Sequence, residues 1–207
     1  MLIGGGYVRD LFISNSMNLI RKNKPNYTKE KLEELEYGLT GLYILISKSI
    51  IIFSIAYLLG ILKELIIFTL IYNLVRLPSF GIHASKSWVC LVVSTSLFIG
   101  LTYICTILNV NIVLKFILGL IGIIYMSKYS PADTEKRPIV NSKRRKVYKI
   151  ISTIMATILV IVSVFVDNNF ISNCCLFGLI LQCAMISPIT YKLSNQQYDN
   201  YKSYQFD

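Results

Sequence analysis

Charge is what this sequence has least of. Only 15% of its 207 residues are Asp, Glu, Lys or Arg, while 54% are apolar and the mean hydropathy is +0.58. Such a chain has too little polar surface for a soluble globular domain, which excludes the cytosolic, secreted and disordered classes. Acidic residues are the scarcer sign, 11 against 21 Lys and Arg, for a formal net charge of +10. That surplus bears on orientation in a membrane and on anionic partners there; no nucleic-acid partner is expected. Histidine occurs once, as His83, and the five cysteines (Cys90, Cys105, Cys174, Cys175, Cys183) include no C-x-x-C pair. Neither a Cys/His metal site nor a cofactor is therefore expected. An odd set of cysteines in or beside apolar runs is unlike a disulfide framework, so free thiols are expected. The opening Met1-Leu2-Ile3-Gly4-Gly5-Gly6 has no basic n-region or small-residue cleavage site, so it does not read as a signal peptide.

What is present is a succession of apolar runs. Residues 1–39 mix charge with a partial helical stripe of Val8, Leu11, Phe12, Leu19 and Ile20, which predicts an amphipathic segment lying on the membrane. Pro25 interrupts it, and Thr28 is placed to cap a second short helix. Spans are expected at Gly41 to Leu62, Leu65 to Leu77, Trp88 to Leu108, Val110 to Ser127, Ile150 to Val166 and Phe170 to Ile189. The second is short for a full crossing before Pro78, so it either borrows neighbouring residues or enters as a broken helix. Residues 128–149 form the one hydrophilic loop, with eight Lys/Arg against Asp133 and Glu135, and a polar tail follows, residues 191–207.

Placing the basic loop in the cytoplasm puts every other basic cluster, including the six basic residues of the N-terminal segment, on the same side. The expectation is an all-α, polytopic integral membrane protein with about six transmembrane helices. It forms a single membrane domain, 1–207, whose 41–190 bundle follows the 1–39 segment. It resides in the cell membrane with both termini inside.

The residues able to carry chemistry cluster between Arg76 and Cys90. Imidazole beside thiol is the usual pairing for nucleophilic catalysis, because the base makes thiolate at neutral pH and the imidazolium then stabilises it. Seven helical residues from His83 to Cys90 return to one face but climb about 10.5 Å, too far for contact. The segment must therefore bend, and Pro78, Gly81 and Ser85-Lys86-Ser87 would permit it. A helix-terminal histidine and a cysteine packed as filler are the plainer alternatives.

Two stretches resemble the accessory gene regulator B family of Gram-positive bacteria. Gly81-Ile82-His83-Ala84, followed by Ser85, Ser87 and Cys90, is similar to its Gly-x-His-Ala...Cys signature, and Tyr129-Ser130-Pro131-Ala132 through Pro138-Ile139, followed by Lys143-Arg144-Arg145-Lys146, resembles its Tyr-x-Pro-Ala...Pro-Ile loop and basic run. The chain departs from many members at Leu77-Pro78-Ser79-Phe80. The resemblance implies a membrane cysteine endopeptidase (a thiol protease) that cleaves the C-terminal part of a small quorum-sensing precursor, AgrD, through a thioester, yielding a cyclic lactone or thiolactone. Cys90 would be nucleophile and His83 base. Arg76, Ser85, Lys143, Arg144 and Arg145 are candidates for binding the precursor, and Asp133, Glu34 and Glu36 for orienting His83, a solvated carboxylate being the plainer alternative for each of the three. The bilayer and the precursor are the expected partners, and homo-oligomerisation stays open. A small transporter or exporter, or a scaffold, is the non-enzymatic alternative.

Overall fold

The computed structural model describes residues 3–82, 87–135 and 138–204, and their side chains apart from those of residues 3–7 and Ser87. The chain forms two compact units, residues 1–55 and 56–207.

The first unit holds α1 (Ile3–Asn23) and most of α2 (Lys29–Leu58). Pro25 lies in the break between them, and the Lys31 amide donates to Thr28 Oγ1 at 3.3 Å, the cap that the sequence suggests. The short second helix and the first span are not separate elements. With no Pro near residue 40, and with the Thr40 hydroxyl donating back to the Glu36 carbonyl at 2.8 Å instead of capping a new helix, they form one 30-residue helix. Along α1, Val8, Leu11, Phe12 and Leu19 are exposed, whereas Ile13 and Met17, outside that stripe, are buried. The helix is thus apolar on two faces, only one of which is covered within the unit. Phe12 meets Tyr43 of α2 with ring centroids 5.7 Å apart.

The second unit is a helical bundle. The break after α2 is residues 59–61, where the amides of Gly60 and Ile61 donate to the carbonyls of Tyr57 and Ala56. Lys63 and Glu64 sit inside the first turn of α3 (Leu62–Ser79), not in the break. This is how α3 gains length: it takes up Lys63-Glu64 at one end and Pro78-Ser79 at the other, making 18 residues. There follow α4 (Ser87–Ile107), α5 (Ile112–Tyr129), α6 (Ser142–Phe165), α7 (Asn169–Ile186) and the short α8 (Pro188–Leu193), then a 3₁₀ turn, Asn200–Tyr204. Asn111, Asn141 and Asn168 cap α5, α6 and α7, each side chain accepting from a backbone amide of the first turn.

Helix α7 is the centre, packing against α3, α4, α5 and α6. Its buried Cys175, Leu179 and Ile186 join Val75, Met126, Ala156, Leu159 and Val160 in the larger apolar cluster. Outward, α5 shows Ile117, Ile121 and Ile124 and α6 shows Ile150, Ile154, Ile158 and Ile161, all exposed. Such surfaces are suited to acyl chains, with backbone polar groups satisfied inside the helices. Among the described residues, five helices, α2, α4, α5, α6 and α7, are long and apolar enough to cross a membrane. The chain is an all-α, polytopic membrane protein. Helix α3, with Lys63, Glu64 and Arg76 in its 18 residues, falls outside that set, so length and composition alone give five spans rather than about six.

The basic run is not loop. Lys143, Arg144, Arg145 and Lys146 occupy the first turns of α6, because the Asn141 cap starts that helix eight residues before the apolar run at Ile150.

Candidate active site

Where α3 ends, the backbone turns sharply. Phe80 and Gly81 both have positive φ, 57° and 112°. Helix α3 stops at Ser79, and the described part of α4 begins at Ser87. His83 and Ser85 themselves lie outside the described residues.

The four residues before His83 are held at every backbone group. The Phe80 amide donates to the Arg76 carbonyl at 3.0 Å, that of Gly81 to Ala132 at 2.8 Å and that of Ile82 to Met185 at 3.0 Å. The Ser79 carbonyl accepts from the Ala132 amide at 3.0 Å, so a parallel bridge joins Phe80 to Ala132. Arg76 curls back over the turn: its guanidinium donates to the carbonyls of Phe80, Gly81 and Ile82, the last at 3.0 Å. The side-chain amide of Gln182, fully buried in α7, donates to Ser79 Oγ at 2.6 Å and to the Phe80 carbonyl at 2.9 Å. A backbone with each donor and acceptor engaged has few alternatives, which is what a turn presenting a reactive residue needs.

Arg76 thus organises backbone at the place where the sequence offers it as a substrate ligand. Gln182 was not singled out, although an amide in the apolar run 170–189, which also holds Asn173, is the kind of residue that a spanning helix retains only for a partner.

Cys90 is on the first turn of α4, half-buried, with its Sγ 3.8 Å from Ser94 Oγ. Of the other four cysteines, Cys105, Cys174 and Cys175 are buried and Cys183 is half-buried. The gap from Ile82 to Ser87 spans at most about 17 Å of extended chain, so Cys90 opens the helix that follows the braced turn. A helix N-terminus also favours negative charge there.

Asp133 is not a solvated carboxylate. Its side chain is 1% exposed. Oδ1 accepts from the Asn200 amide at 3.1 Å, and Oδ2 from the amides of Tyr201 at 3.0 Å and Ile139 at 3.1 Å and from Arg145 Nη1 at 3.5 Å. Arg145 is therefore turned inward, its guanidinium 3.4 Å from the Tyr201 ring centroid. Lys143 and Arg144 are exposed. Glu34 pairs with Lys31 at 2.8 Å within the first unit, where Glu36 is exposed.

The tail is packed rather than free. Tyr191 is fully buried; its hydroxyl donates to the Asp133 carbonyl at 2.9 Å and lies 3.3 Å from that of Ala132. The Tyr198 hydroxyl donates to the Tyr129 carbonyl at 3.2 Å. Burial pushes both phenols well above their ordinary range, so both remain donors at neutral pH. Sequence reading missed these contacts because they join residues almost 60 or more apart without any local pattern.

No solved structure matches the chain. Among curated proteins it is similar to an AgrB-like protein of Clostridium acetobutylicum, 31% identical over 177 residues that cover 86% of this chain and 84% of that one. An AgrB-like protein of Listeria monocytogenes is 29% identical over 90% of this chain and 92% of its own. Accessory gene regulator protein B of Staphylococcus aureus is 33% identical over 76% and 83%. The family model described as Accessory gene regulator B matches residues 13–186, and the chain belongs to the accessory gene regulator B family.

Proposed function

We propose that this protein is a membrane cysteine endopeptidase that processes a small AgrD-like precursor, with Cys90 as nucleophile and His83 as general base. Family membership supports a role in the accessory gene regulator quorum-sensing system. The observation that supports the finer reading is the hydrogen-bonded turn of residues 79–82, which immediately precedes His83 in the sequence, together with half-buried Cys90 on the first turn of α4. A fixed backbone leading into the base and a thiol near a helix N-terminus suit nucleophilic catalysis.

The chemistry runs in two transfers. Cys90 Sγ, its proton passing to His83, adds to the scissile carbonyl; the peptide C–N bond breaks, and the leaving amine takes the proton from the imidazolium. The result is a thioester between Cys90 and the N-terminal portion of the precursor. A thiol or hydroxyl within that portion then attacks the thioester carbonyl, which closes the ring and returns the Cys90 thiol. Holding both ends of one chain together favours this step over attack by water.

In orientation, α3 completes a sixth crossing, both termini and the site lie in the cytoplasm, and exposed Lys143 and Arg144 draw in an acidic precursor tail or anionic lipid heads. The test is co-expression with the precursor and measurement of its size. Cys90→Ser and His83→Ala are expected to lower cleavage at least about a thousandfold, and wild type to yield an acyl-enzyme that hydroxylamine releases. Cleavage that persists in either variant would refute the assignment.

A further inference from the structure

We propose that the segment following α7 is a strap that sets the position of the His83 turn, with Tyr191 and Asp133 as its positioning residues. The inference rests on the peptidase reading above and extends it to Asp133 and to a segment after α7 that the family match, ending at Ile186, does not reach.

The path is continuous. The Tyr191 hydroxyl holds the Asp133 carbonyl and sits beside that of Ala132. Ala132 then brackets the turn, accepting from Gly81 and donating to Ser79. Ile82, hydrogen-bonded to Met185, immediately precedes His83. On the outer side, the Asp133 carboxylate gathers the amides of Asn200, Tyr201 and Ile139 and the Arg145 guanidinium, and the Asn200 side chain reaches the Asp133 carbonyl at 3.5 Å. Tyr191 and Asn200 are 0% and 3% exposed, unlike a tail whose only work is to be soluble. A buried carboxylate that collects this many donors fixes the loop carrying it, because loss of any one leaves a charge or an amide without a partner. Neither Tyr191 nor Asp133 is assigned contact with the precursor. They act through Ala132.

The experiment uses the full-length protein in detergent with its precursor, and rates are expressed per Cys90 titrated by alkylation. Tyr191→Phe keeps the ring and deletes only the hydroxyl. The expected result is a kcat about tenfold lower, KM unchanged within about twofold and an unchanged SDS-unfolding midpoint. Asn200→Ala, which leaves the Asp133 carboxylate intact, is expected to move kcat in the same direction, and Asp133→Asn to lower it further. A kcat within about twofold of wild type in both Tyr191→Phe and Asn200→Ala overturns the strap, provided that Cys90→Ser is inactive. So does a loss confined to the amount of titratable protein. If Cys90→Ser still cleaves, the peptidase reading falls and takes the strap with it, so the two failures are told apart.

Discussion

A methyl group at Gly81 would stand 2.5 Å from Arg76 Nη1 and 2.8 Å from the Met185 carbonyl oxygen, on a backbone whose φ is +112°. Both faults act at once, because side-chain residues rarely adopt that conformation and the Met185 oxygen is main chain and cannot step aside. Gly81→Ala is expected to destabilise the fold by about 2–3 kcal/mol, read as a lower SDS-unfolding midpoint, and to reduce precursor cleavage beyond what the lost protein explains. Arg145 offers a second contrast. It serves the buried Asp133 and stacks on Tyr201, whereas Lys143 and Arg144, the two residues just before it, are exposed. Arg145→Gln is expected to slow cleavage while leaving membrane orientation intact. Lys143→Gln with Arg144→Gln is expected to weaken the precursor's apparent affinity with kcat preserved, which titration of the precursor against initial rate will check.

At the level of elements, the far end of the bundle is tied by polar groups among the helices. Lys115 of α5, 6% exposed, donates to Ser172 Oγ of α7 at 2.6 Å, and Ser172 in turn donates to the Ser163 carbonyl of α6. Asn173 donates to the carbonyls of Cys105 at 3.2 Å and Leu108 at 2.7 Å, and Asn169 to Asn109 Oδ1 at 3.1 Å. Removing the partner of a buried cation costs more than removing the cation with it. Ser172→Ala is expected to lose about 1–3 kcal/mol, and Lys115→Met less, in paired SDS titrations; the reverse order would refute this account of the contact.

The same elements bound what sequence can tell. Six apolar runs were legible because lipid-facing helices must be apolar over a roughly fixed length. The Gly81-Ile82-His83-Ala84...Cys90 stretch was legible because its chemistry is local. Boundaries fared worse: Asn141 starts α6 within what reads as a hydrophilic loop, and nothing near residue 40 stops α2. Hydrophilicity marks where a helix leaves the membrane, not where its hydrogen bonds end. Asp133 looked solvated because its partners, Asn200 and Tyr201, arrive from 67 and 68 residues away, and no window along the chain contains both sides of such a contact.

For the molecule as a whole, the crossing number is decided by α3. Its Lys63 and Glu64 lie in the first turn and Arg76 in the last, the placement of polar residues at the two ends of a span. Under the proposed six crossings, the residue 59–61 turn, the residue 108–111 turn and Asp167 would lie outside, and residues 130–141 and both termini inside. Single cysteines introduced at Gly60 and Asp167 are expected to react with an impermeant maleimide in intact cells, and one at Asn141 only after permeabilisation. Labelling of Asn141→Cys in intact cells would reverse the orientation.

The docking of Tyr191 and Asn200 onto the 130–133 loop has a consequence in time as well as space. Chains fold in the order in which they are made, and Tyr191 and Asn200, which hold Asp133 beside the turn, emerge after α7. While the ribosome still holds them, the backbone that Arg76, Gln182 and Met185 fix lacks that outer support. On the proposed peptidase reading, the site is completed only when the residues that follow α7 have docked.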